Sequence, residues 1–73
     1  MIAAYVDKAR QIERDVQTAR GDFQRTTGAR PVFVYLGTAE RDALSMAYGS
    51  APVEVMGLRV VPVAVQTWIK VGI

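Results

Sequence analysis

Apolar residues recur along the first third of the chain at Ile2, Tyr5, Ala9, Ile12, Val16, Ala19 and Phe23. The intervals alternate between three and four residues, which places one narrow stripe along a helix. The positions between them are mostly Lys, Arg, Gln, Asp and Glu, the residues of a solvated helix face. The spacing predicts an amphipathic helix over 1–27. Gly21 costs that helix about 1 kcal/mol relative to Ala and offers an early end. Gly28, followed by Pro31, is the better stop.

The pattern then changes period. Arg30-Pro31 opens Val32-Phe33-Val34-Tyr35-Leu36, a β-branched and aromatic run bounded by Gly37. It reads as a largely buried strand. Thr38 suits the N-cap of a short helix over 39–48, with Glu40 in its first turn and Gly49 as its stop. Ala43, Leu44, Ala47 and Tyr48 share one side of it. After Ser50-Ala51-Pro52, Val53–Met56 and Arg59–Val61 flank Gly57-Leu58, which suits a type II′ hairpin. In that register Val55 faces Val60 and Met56 faces Arg59. Val53, Val55 and Val60 share one face; Glu54, Met56, Arg59 and Val61 share the other. Pro62 breaks the ladder, as at an edge or a bulge. Beyond it a strand with shifted alternation runs to the end, with Trp68 and Lys70 on one face and Ile69 and Val71 on the other. The expected fold is a single α+β domain over 1–73: a long N-terminal helix (1–27), then strand, short helix, β-hairpin and C-terminal strand (31–73). Its three- or four-stranded sheet packs on the helices.

Composition removes most chemistry. The 73 residues contain no Cys and no His, so disulfides, zinc fingers, a thiol nucleophile and a histidine base are all excluded. Of the seven carboxylates, Asp7, Glu13, Asp15, Asp22, Glu40 and Asp42 lie on helical segments outside the apolar stripes; Glu54 lies on a strand. Ser45 and Ser50 have no activating base. Gly37-Thr38 lacks the Gly-Lys-Ser/Thr ending of a phosphate loop. No catalytic, metal or cofactor residues are nominated, and the chain is expected not to be an enzyme. No apolar run reaches the roughly 18–20 residues of a membrane span. Met1–Val6 meets Asp7 too early for an export signal. A cytoplasmic protein without membrane contact is expected.

Size and apolar content then point to contact as the function. A domain this short buries only about 60% of the surface its unfolded chain exposes. Yet 51% of the residues are apolar and mean hydropathy is +0.14. The surplus is expected to serve a partner, either a second copy (a dimer) or a host protein. With Ile2 at a heptad a position, Lys8 would meet Glu13, and Asp15 would meet Arg20, across a parallel helix pair. The alternative use of the stripe is the chain's own sheet, with Ile12 and Phe23 in the core. The nominated interface residues are Tyr5, Ile12 and Val16 on the helix seam, with Met56, Arg59 and Trp68 on the outward sheet face. The final strand, if a free edge, is a second place for another chain. Nucleic-acid binding is the alternative. It would use Arg10, Arg14 and Arg25 on one helix face, although Asp7, Glu13, Asp15 and Asp22 are interleaved with them.

Residues 31–63 also carry a resemblance. Pro31-Val-Phe-Val-Tyr-Leu-Gly37, then Glu40 and Leu44, then Val53-Glu-Val-Met-Gly-Leu-Arg-Val-Val-Pro-Val63 resemble a pattern in small accessory proteins encoded by tailed phages and prophages. The match covers less than half the chain and leaves out the first helix. It implies no shared catalytic residue. It implies a protein that occupies a surface of a host or defence complex as an inhibitor does, or one that assists particle assembly.

Overall fold

The computed structural model describes residues 2–73, with side chains described from Val6 onward. The elements are α1 (Ile2–Thr27), β1 (Phe33–Leu36), α2 (Thr38–Tyr48), β2 (Glu54–Val55), β3 (Leu58–Pro62) and β4 (Ile69–Gly72). The strands form one mixed sheet in the order β2-β3-β1-β4. β1 runs parallel to β3 and antiparallel to β4, and β2 and β3 form the hairpin. The α+β architecture is as the residue pattern predicts. α1 passes through Gly21 without a break and stops before Gly28, whose amide bonds the Gln24 carbonyl at 2.8 Å.

One side of the sheet carries the core. Ala9, Ile12 and Val16 of α1 and Ala43 and Leu44 of α2 meet Val34 and Leu36 of β1 and Val55 and Leu58 of the hairpin. Val60, Ile69 and Val71 pack around that cluster from the same side. The Ala9, Ile12 and Val16 part of the α1 stripe is therefore consumed inside one copy. Ile12 is 4% exposed and Val16 is fully buried, so neither belongs to a partner seam as the heptad suggested. A stripe of that spacing serves a sheet as well as it serves a second helix. The presence of a long apolar strand, Val32–Leu36, decides between them here.

Two local departures have clear causes. The first is the C-terminal segment, read as one long strand from Val63. Only Ile69–Gly72 is strand. The loop before it leaves the ladder to close the start of α2: Gly37 donates to the Trp68 carbonyl at 2.9 Å, Thr38 to Val65 at 2.9 Å and Ala39 to Gln66 at 2.8 Å. These carbonyls satisfy the free amides of a helix start. The N-cap is consequently Gly37, with no side-chain cap bond, and not Thr38. Buried Glu40 completes the joint by accepting from the Trp68 amide at 3.0 Å. The approach leaves no room at Gly37. A Cβ there would stand 2.7 Å from the Val65 oxygen and 2.8 Å from the Trp68 nitrogen.

The second departure is the hairpin. Val55 pairs with Leu58 and Glu54 with Arg59, so the turn is Met56-Gly57. Their φ values of 53° and 79° are the double positive φ of a type I′ turn, not type II′. The slip is two residues along the ladder, and a two-residue slip preserves faces. Val55 and Val60 still point to the core, and Glu54, Arg59 and Val61 still point away. Met56 instead leaves the ladder for the turn, where its carbonyl accepts from the Arg20 guanidinium at 2.9 Å. Pro62 pairs with Leu36 at a level that β2 has not reached, so its missing amide deprives no neighbour.

Candidate functional site

Alternation along β1 assigns two different surfaces. Val34 and Leu36 are fully buried under the helices, while Phe33 and Tyr35 point the other way and stay partly exposed. The strand register then assembles the second face row by row. Phe33 lies between Arg59 of β3 and Gly72 of β4, and Tyr35 lies between Val61 and Lys70. The Tyr35 ring leans over Gly72: a Cβ on Gly72 would be 3.2 Å from ring atom Cε2. One row further, Trp68 is 40% exposed. The Lys70 ammonium sits 5.2 Å from its ring centre, within cation–π range. Both helices bury their apolar residues against the Val34 and Leu36 side. Among the described residues, no helix or strand covers the Phe33 and Tyr35 side.

Charge divides between the same two sides. The helices carry six basic groups (Lys8, Arg10, Arg14, Arg20, Arg25 and Arg41) and six acidic ones (Asp7, Glu13, Asp15, Asp22, Glu40 and Asp42), so they sum to zero. The remaining charges are Arg30, in a groove between α1 and the hairpin turn, and Arg59 and Lys70 against Glu54 on the other sheet face, which therefore has one excess positive charge. Arg59 and Lys70 flank the aromatic strand from opposite sides. Glu54, across from Arg59, stands at the β2 edge.

The nominated residues separate accordingly. Arg59 and Trp68 are brought together on the uncovered face. Met56 is half-buried against the core at the turn, and Ile12 and Val16 are core residues. The Tyr5 side chain lies outside the described residues. Arg10, Arg14 and Arg25 are all exposed on α1, but Arg25 pairs with Asp22 and the helix as a whole has one excess positive charge. Phe33 and Tyr35 escape the sequence pattern because Val32–Leu36 looks uniformly apolar, and Lys70 joins the site only through its register with Tyr35. The signal was nonetheless present: rings alternate with aliphatics at 33, 34, 35 and 36, the mark of two unlike faces.

Other features are structural. The amides of Gly37, Thr38 and Ala39, the candidate anion-binding start of α2, are occupied by the chain's own carbonyls. Arg41 is likewise turned inward, donating to the Leu36 and Val63 carbonyls at 3.3 and 3.2 Å. On the helical side the Tyr48 hydroxyl donates to Glu13 at 2.5 Å. Partial burial, then that bond and the Glu13 charge, push its pKa from 10.0 up to about 12. A groove of about 430 Å³ between α1 and the hairpin turn contains Arg20 and Arg30, but Arg20 is already bound to Met56. Among the described residues no three metal-ligating side chains cluster, and no helix is long and apolar enough to cross a membrane. Comparison with family models, curated proteins and solved structures returns no match.

Proposed function

We propose that this chain is a non-enzymatic contact protein of the phage accessory type, which works by laying the uncovered face of its sheet against another macromolecule. One observation carries the reading: Phe33, Tyr35, Val61 and Trp68 stand together on a face that no helix shields, between two cations. A sheet ordinarily buries one face and solvates the other with polar residues. Aromatic and β-branched groups on the solvated face instead have the composition of an interface centre. The surface is thereby moved from the helix seam to the sheet, and Arg59 and Trp68 remain in it.

The test is stability. Val61→Thr and Trp68→Thr keep β-forming residues on the sheet and remove apolar surface that contributes nothing to the core. Each is expected to change unfolding free energy by less than about 1 kcal/mol in urea titration. Leu44→Ala, inside the core, is expected to cost about 2–5 kcal/mol. If the two face variants lose as much as the core variant, the face holds the fold together and the reading falls.

A further inference from the structure

We infer that the occupant of the uncovered face is a single-stranded nucleic acid, a conclusion that rests on the face being the contact surface. Rings and cations are both present, and their arrangement is what selects the partner. Phe33 and Tyr35 are two residues apart on the central strand, so they repeat at about 6.6 Å along it. Tyr35 leans over Gly72, the one β4 position on this face without a side chain. Trp68 adds a third ring at the β4 side, one face of which the Lys70 ammonium already meets at 5.2 Å, leaving the other for a base. Bases of every kind stack on such rings, and four-stranded sheets that bind RNA hold two or three bases this way.

The cations have the complementary placement. Arg59 on β3 and Lys70 on β4 stand on either side of the aromatic strand. A backbone crossing the sheet meets a positive group before and after the stacked bases. Glu54 at the β2 edge and Asp22, which shares a groove with Lys70 at the β4 edge, are the acids that the strand would have to pass. An acidic protein partner would satisfy the cations but would leave three rings without matched planar groups. A duplex, with its bases stacked inside, cannot offer their faces to rings on a flat sheet. Arg10, Arg14 and Arg25 on α1 take no part.

Trp68 is the only tryptophan in the chain and lies on the face itself, so its emission reports occupancy directly. The experiment titrates the full chain with an oligothymidylate of about twelve nucleotides at low salt. Quenching is expected, with a Kd of about 1–100 µM. Log Kd against log salt is expected to have a slope near 1.4, about 0.7 for each of two phosphates neutralised. Tyr35→Leu and Phe33→Leu, which keep apolar bulk, are expected to weaken binding on the order of tenfold. Tyr35→Phe restores it. Arg59→Gln lowers the salt slope to near 0.7.

Three results would overturn the inference: no quenching by 1 mM oligonucleotide with folded protein, equal binding to a duplex of the same length, or full affinity in both leucine variants. Light scattering on the free chain separates the two levels of the argument. A dimer abolished by Trp68→Thr would put a second copy on this face, removing the nucleic acid while leaving the contact surface in place. A face shown by urea titration to be structural removes both.

Discussion

Met56 occupies a backbone region that L-residues other than Asn and Asp visit at a cost. With φ at 53°, its Cβ crowds the following carbonyl, an arrangement worth roughly 1–2 kcal/mol. It persists because Leu58 and Val55 must both enter the core, which leaves two residues to reverse the strand, and because Gly57 takes the second position without strain. The half-buried thioether offsets part of the penalty by packing on the core. The site should therefore discriminate by backbone tolerance more than by hydrophobicity. Met56→Asn, which creates the preferred Asn-Gly turn, should leave stability unchanged or raise it by up to about 1 kcal/mol. Met56→Val, apolar but β-branched, should lower it by more than about 1 kcal/mol. Urea midpoints at equal m-value measure both. Valine more stable than asparagine at this position would contradict the turn geometry.

At the scale of elements, the two helices are joined near solvent by the Tyr48 hydroxyl and the Glu13 carboxylate. Because the folded pKa of Tyr48, about 12, lies above the ordinary 10.0, the neutral phenol is the form the fold favours. Its stabilisation is complete below pH 10 and is lost as pH rises from there through about 12. Ultraviolet titration should show a tyrosine step near pH 12, and Tyr48→Phe should remove that late step. If the late step survives, the bond is not present in solution. The elements themselves were largely legible in the residue pattern. The 3-4 spacing gave α1, the Val32–Leu36 run gave β1, and Gly28 and Gly49 gave the helix ends. The hairpin register was missed because Gly57-Leu58 and Met56-Gly57 both place glycine in a two-residue loop, and only the demand to bury Leu58 separates them. The short β4 was missed because its preceding loop is held by the start of α2, far earlier in sequence, and alternation carries no record of that contact. The site was half legible. Arg59 and Trp68 followed from alternation near the end of the chain. Phe33 and Tyr35 were hidden inside a run that looks buried until its two faces are separated.

The whole molecule is a helical layer with balanced charge on one side of a sheet and an aromatic, cationic surface on the other. This partition bears on self-association. The Ala9, Ile12 and Val16 part of the heptad stripe that suggested a dimer is enclosed by the chain's own sheet, with Val16 and Leu36 both fully buried. No second helix can reach it without opening the core. The remaining apolar surface carries Arg59 and Lys70 against Glu54, and stacking two copies face to face would bring four cations and only two carboxylates together in a drying interface, where unpaired charge is costly. The free chain is accordingly expected to be a monomer of 8.0 kDa at micromolar concentration. Its thermal midpoint should then be independent of protein concentration, because association that favours the folded state makes the midpoint rise with concentration by mass action. Adding the oligothymidylate should raise the midpoint in proportion to RT ln(1 + [L]/Kd), with Kd taken from the Trp68 titration. High salt should erase the rise in step with the loss of affinity. A midpoint that climbs with protein concentration, in the absence of any nucleic acid, would mean that the greasy surface is satisfied by another copy and that the cations are tolerated there.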